Sequence, residues 1–94
     1  PDTVTSIGYG AFYGCESITS IEIPDTVTSI GYSAFKGCSN LTSIVIPKGV
    51  SEIGEFAFMN CTKLTTVILP LSVNKNNTSI FDNANLVFLT QIFT

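Results

Sequence analysis

The stretch Ile30-Gly31-Tyr32-Ser33-Ala34-Phe35-Lys36-Gly37-Cys38-Ser39-Asn40-Leu41-Thr42-Ser43-Ile44-Val45-Ile46-Pro47 decides how the chain is read, because nearly everything around it repeats it at an offset of 23 residues. Residues 1–23 and 24–46 agree at 17 of 23 positions. Residues 47–69 still match the second unit at Pro47, Val50, Ile53, Gly54, Ala57, Phe58, Cys61, Leu64 and Thr65. A unit this short cannot bury its own apolar face and must lend it to a neighbour, so a fixed short period predicts stacking.

Within each unit the first signal is Val-x-x-Ile: Val4 and Ile7, Val27 and Ile30, Val50 and Ile53. β-Branched residues at this spacing suit a short extended segment. Gly8, Gly31 and Gly54 follow at once, where the chain must turn and a positive φ would favour glycine. Next comes Ala-Phe-x-x-Cys, ending at Cys15, Cys38 and Cys61, with Ile18, Leu41 or Leu64 three positions on. Spacings of three and four put these on one side of a helical turn, so the sequence predicts a short helix or 3₁₀ turn that presses Phe12, Phe35 and Phe58 inward.

The unit closes on the pairs Ile21 and Ile23, Ile44 and Ile46, Val67 and Leu69. Inward residues alternate there with outward ones, the period of a half-buried strand, and successive copies are expected to pair in parallel about 4.8 Å apart. Pro24, Pro47 and Pro70 end each strand. The domain reading is three repeats, 1–23, 24–46 and 47–69, followed by a divergent fourth over 71–94. There Val73, Ile80 and Phe81 keep their places, but Asn76 and Asn77 replace Ile and Gly, and Ala84 replaces Cys. The polar run 74–79 reads as a loop, and Leu86-Val87-Phe88-Leu89 with Ile92-Phe93 as a last strand. Such a segment is either a C-terminal cap or drift before further repeats.

Composition narrows the function classes. Charged residues make up 12% of the chain and mean hydropathy is positive, yet no apolar run approaches the ~20 residues of a membrane-spanning helix. Net charge is −3, and the only cations are Lys36, Lys48, Lys63 and Lys75, scattered and without Arg. Nothing there would neutralise a phosphate backbone, which argues against nucleic acid. Histidine is absent, and with it the commonest general base and zinc ligand. The chain starts at Pro1 in mid-pattern without Met, and is read as part of a longer protein.

Leu41-Thr42-Ser43-Ile44-Val45-Ile46-Pro47, joined to Val-x-x-Ile-Gly-x-x-Ala-Phe-x-x-Cys, closely resembles the BspA-type leucine-rich repeat, also called the Treponema pallidum type. The resemblance covers 1–70 well and 71–94 poorly. It implies an α/β solenoid: a right-handed leucine-rich-repeat superhelix of three to four rungs, with a short parallel sheet and short helical or 3₁₀ turns. It also implies a bacterial or protist protein, at the cell surface or secreted, that adheres to host matrix proteins or other cells. No catalytic residues and no cofactor come with it.

The three cysteines form one column. A reduced core ladder, a disulfide between neighbours and a metal site are the alternatives, the metal being short of a fourth ligand and the disulfide poorly aimed between parallel side chains. Asp2, Glu16, Glu22, Asp25, Glu52, Glu55 and Asp82 occupy different repeat positions, so no carboxylate pair is held at a fixed separation for acid/base work. Four acceptor sequons begin at Asn40, Asn60, Asn76 and Asn77.

The function expected is a protein-binding or adhesion module, no enzyme, with a structural spacer or self-assembling subunit stacked through exposed repeat ends as the alternative. The contact row, counted outward from Ile21, Ile44 and Val67, is Glu22, Val45 and Ile68, flanked by Ser43 and Thr66. The row becomes more apolar toward the C-terminal end, and exposed apolar surface marks interaction sites. Ile68 is alternatively covered by 71–94, in which case the binding side lies opposite, around Tyr9, Tyr32 and Phe56.

Overall fold

The structure is a computed structural model and describes residues 4–73, 78–84, 86 and 88–92. Asp2, residues 74–77 with Lys75 and the sequons at Asn76 and Asn77, Val87 and Phe93 lie outside the described residues. Six strands run through the rest: β1 (Ser6–Ile7), β2 (Ser29–Ile30), β3 (Ser43–Val45), β4 (Glu52–Ile53), β5 (Thr66–Pro70) and β6 (Phe88–Ile92). The Val-x-x-Ile segments make one parallel sheet, β1-β2-β4, pairing Ile7 with Ile30 and Ile30 with Ile53. The closing segments make a second, β3-β5-β6, pairing Ile44 with Val67 and Val67 with Leu89. The register follows the repeat, except that β6 sits one residue early, the chain being shorter between Ala84 and Leu86.

The closing segment of the first repeat departs from expectation. Thr19, Ser20 and Ile21 are identical to Thr42, Ser43 and Ile44, yet residues 20–23 form no strand. Thr42 N–H donates to Thr19 C=O at 3.2 Å, and beyond that bond the two segments part. Two physical differences separate this closing segment from the next. Glu22 replaces the β-branched Val45 and Ile68 in the outward row, and no earlier strand among the described residues braces 20–23 from the other side.

The Ala-Phe-x-x-Cys segments are single 3₁₀-type turns in chains rather than continuous helices, and among the described residues a 3₁₀ helix forms only at Thr78–Phe81. The hydrogen bonds show why. Ala11, Tyr13 and Cys15 N–H bond back to Gly8, Gly10 and Phe12 carbonyls, while the alternate N–H groups of Gly10, Phe12 and Gly14 donate to Tyr32, Ala34 and Lys36 carbonyls on the next rung. A continuous helix would keep all of these bonds internal. The alternation requires left-handed residues at two columns. One holds Gly10, Ser33 and Phe56 at φ of 60°, 56° and 61°, the other Gly14, Gly37, Asn60 and Asn83 at 71°, 80°, 62° and 62°.

Of the glycines after each Val-x-x-Ile, Gly31 and Gly54 serve close approach rather than the positive φ expected. Gly8, Gly31 and Gly54 are absent from the left-handed region. A Cβ on Gly54 would lie 2.4 Å from Tyr32 N and 2.7 Å from Gly31 C; on Gly31 it would lie 2.8 Å from Gly8 C. Neighbouring backbones touch at this corner, where Gly54 N–H donates to Ile30 C=O at 2.7 Å.

Between the sheets runs a continuous core in which the phenylalanine column, Phe12, Phe35, Phe58 and Phe81, stacks at centroid spacings of 5.1, 5.0 and 5.5 Å. Phe35 and Phe58 are completely buried, whereas Phe12 and Phe81 are half-buried. Stacked pairs of this kind contribute about 0.5–1.5 kcal/mol beyond the area they bury.

The cysteine column is free of disulfides, and it is graded. Cys38 and Cys61 are buried, their thiols donating at 3.2 Å to Phe12 and Phe35 carbonyls one rung back. Cys15 is only half-buried, which corrects the core-ladder reading at the first rung: no described rung lies beneath it. Burial pushes Cys38 up and Cys61 up to about 12 from an ordinary 9.0, helped at Cys61 by the Cys38 thiol. A maleimide at about pH 8 should therefore label Cys15 and leave the other two until the chain unfolds, as mass spectrometry would show. Because the folded value at Cys61 lies above the unfolded one, its contribution to stability is complete below about pH 9 and falls away toward pH 12. Labelling of Cys61 as fast as Cys15 would contradict the stacking register.

Candidate functional site

Two faces carry exposed apolar or aromatic groups, and the repeat produces both. The first is the outer face of the β3-β5 sheet. Strand alternation turns Ile44 and Val67 into the core and leaves Ser43, Val45, Thr66 and Ile68 outward. Register pairs Ser43 with Thr66 and Val45 with Ile68, so the four make a block two residues wide. Val45 is 57% exposed, more than Leu71 at 47%. Ile68 and Thr66 are half-buried, with β6 paired on their far side. β6 thus lies alongside the row, with Ile68 paired to Thr90 in register.

Glu22 is exposed but stands off the sheet, because residues 20–23 have separated from β3. The separation opens a cleft of about 440 Å³ lined by Ile21, Glu22 and Ile23 on one wall and by Ser43 and Val45 on the other, with Asp25 also contributing. No cation lines it; Lys48, one repeat beyond Asp25, is outside the lining. Of the five expected contact residues, the structure places Ser43, Val45, Thr66 and Ile68 together and sets Glu22 across the cleft from the first two. The cleft was hidden from sequence reasoning, which saw equal strands in equal repeats; the single signal was the charge at Glu22.

The second face lies over the turns. Tyr9 and Tyr32 stack at 5.3 Å and 5°, and Phe56 meets Tyr32 edge-on at 5.6 Å. Lys36 Nζ lies 5.7 Å from the Tyr13 ring centre and 6.0 Å from that of Phe56. Tyr9 and Tyr13 are 77% and 60% exposed. Tyr9 and Tyr32 spend one ring face on each other, so that pair presents mainly edges and hydroxyl groups outward.

Asn40 Nδ2 donates to Glu16 C=O at 2.7 Å, and Asn60 Oδ1 accepts from Asn83 Nδ2 at 2.9 Å. Both described sequon asparagines therefore link rungs through their side-chain amides. Among the described residues no three Cys, Asp or Glu side chains gather as a metal ligand set, and no helix is long and apolar enough to cross a membrane.

Two parallel ladders around one apolar interior, repeating every 23 residues, define a solenoid of leucine-rich-repeat type. The chain belongs to the BspA-type leucine-rich repeat family: the profile of the BspA type leucine rich repeat region (6 copies) matches residues 1–92. A crystal structure of a T. pallidum leucine rich repeat protein is similar over 99% of this chain and 44% of its own, at 31% identity and a TM-score of 0.83. A leucine-rich repeat protein from Bacteroides ovatus is 26% identical over 94% of this chain and 28% of its own, with a TM-score of 0.71. A leucine rich cell surface protein from Faecalibacterium prausnitzii is 31% identical over 97% and 30%, with a TM-score of 0.69. The chain thus spans less than half of each. Comparison with curated proteins finds no match.

Proposed function

We propose that the chain is a protein-binding or adhesion module of a surface or secreted leucine-rich-repeat protein, without catalysis, and that its contact surface is Ser43, Val45, Thr66 and Ile68 with Glu22 at the polar edge. The observation that carries this reading is the exposure of Val45 in a block whose other members are small hydroxyls and a half-exposed Ile68. Exposed apolar surface ringed by polar groups is the ordinary sign of an interaction site. The expected partner is a host matrix or cell-surface protein. The coil is taken as right-handed with three to four rungs, residues 71–94 being a divergent fourth repeat that is either a C-terminal cap or drift before further repeats.

The test is surface plasmon resonance against a panel of purified extracellular-matrix proteins. Val45→Lys with Ile68→Lys should weaken the observed binding by about tenfold or more while leaving circular dichroism unchanged; Val45→Lys alone, at a fully outward position, separates loss of contact from loss of fold. Binding that survives these changes but is lost in Tyr9→Ala with Tyr32→Ala would move the contact to the aromatic face. That second reading is favoured by the exposure of Tyr9 and Tyr13 beside Lys36, since tyrosine is enriched at binding hot spots. A chain that binds no panel member and scatters light as an oligomer would be a self-assembling unit joined through its repeat ends.

A further inference from the structure

The cleft beside β3 has a form that the sheet face alone does not explain. β3 is the edge of its sheet, hydrogen-bonded to β5 on one side only. Edge strands expose a row of unpaired N–H and C=O groups, and proteins commonly guard them with charge, proline or a bulge. Ser43, Ile44 and Val45 carry none of these guards. The segment that the repeat would place against this edge, residues 20–23, instead stands away from it past the Thr42-to-Thr19 bond and forms the opposite wall. The same repeat is fully engaged elsewhere, β1 pairing with β2 in register and its turn bonding to the next at three carbonyls. The opening is therefore local to the strand position.

From this geometry we infer that the cleft accepts an extended peptide segment of a protein partner, which pairs through its main chain with the free edge of β3 and carries a Lys or Arg next to β-branched residues. This deepens the proposed function and rests on reading the sheet side as the protein-binding side. Strand addition draws affinity from main-chain bonds and specificity from side-chain pockets at alternate positions. Ile21, Ile23 and Val45 supply the apolar walls, and Ser43 a hydroxyl. Glu22 and Asp25 are the only charged residues in the lining, so an acidic or neutral segment gains nothing there and a basic one gains two carboxylates. The volume of about 440 Å³ lies within the ~300–1,000 Å³ of ordinary ligand clefts.

The probe is an end-blocked hexapeptide of alternating valine and lysine, followed by amide hydrogen exchange and NMR shifts of the chain. Saturating peptide should slow exchange in residues 43–45 by about tenfold, a glutamate-for-lysine peptide should bind about tenfold more weakly, and N-methylation of the central valines should abolish the effect. Glu22→Gln with Asp25→Asn should erase the preference for lysine without moving the melting temperature. Three results would overturn the inference: β3 amides already protected in the free chain, which would mean that residues 20–23 close the cleft; equal binding of both charge types; or no binding of any hexapeptide. Ile68→Lys separates this from the broader reading, since it alters the sheet face one strand away from the cleft. Peptide protection that persists in that variant while matrix-protein binding is lost leaves the cleft standing on its own, and the converse leaves only the face.

Discussion

Gly54→Ala is expected to destabilise the chain by at least the ~1–3 kcal/mol typical of an overpacked core, with unfolding a realistic outcome in a domain whose total stability is on the order of 5–15 kcal/mol. The added Cβ would meet Tyr32 N at 2.4 Å and Gly31 C at 2.7 Å. These are backbone atoms held by the Gly54-to-Ile30 hydrogen bond, so relief requires two rungs to separate and not a side chain to swing. Gly8→Ala is the internal control. Its Cβ would meet nothing within 4 Å, and the change should stay within about 0.5 kcal/mol, as for an unconstrained surface site. Denaturant melts of the two variants measure the contrast; equal destabilisation would mean that another rung or molecule covers Gly8.

Phe35→Ala should lose about 3–5 kcal/mol, the range for emptying a phenylalanine site in a packed core. Its ring is completely buried between Phe12 at 5.1 Å and Phe58 at 5.0 Å. Phe12→Ala should lose distinctly less, because Phe12 stacks on Phe35 alone and is half-buried. Thermal melts that give the two variants the same loss would contradict one-sided stacking of the first rung.

Much of this architecture was legible because it is written in periodic residues. The inward places of Phe35, Leu41, Ile44 and Ile46, the registers of β1-β2-β4 and of β3-β5, and the persistence of Val73, Ile80 and Phe81 all follow from matching columns at constant spacing. What escaped was set by relations between rungs rather than by spacing within one. Gly31 and Gly54 looked like turn glycines, but their constraint comes from the backbone of the neighbouring repeat, which no single unit displays. The turns looked helical because Ala-Phe-x-x-Cys has helical spacing; the left-handed residues that break the helix include Ser33 and Phe56, types that do not announce a positive φ. Residues 20–23 have the strand pattern of 43–46 and differ from it in the outward row only at Glu22, too small a signal to foretell an open cleft. The contact residues were readable as a strand-alternation row, but not the displacement of Glu22 from it.

The central claim, that partners are met on the sheet side, is tested most directly by an exchange footprint. Amide hydrogen exchange would be measured on the chain alone and saturated with whichever matrix protein binds it. The account expects slowed exchange in β3 and β5, residues 43–45 and 66–70, with the turns at 9–14 and 32–37 unchanged. Slowing confined to those turns, with β3 and β5 untouched, would contradict it.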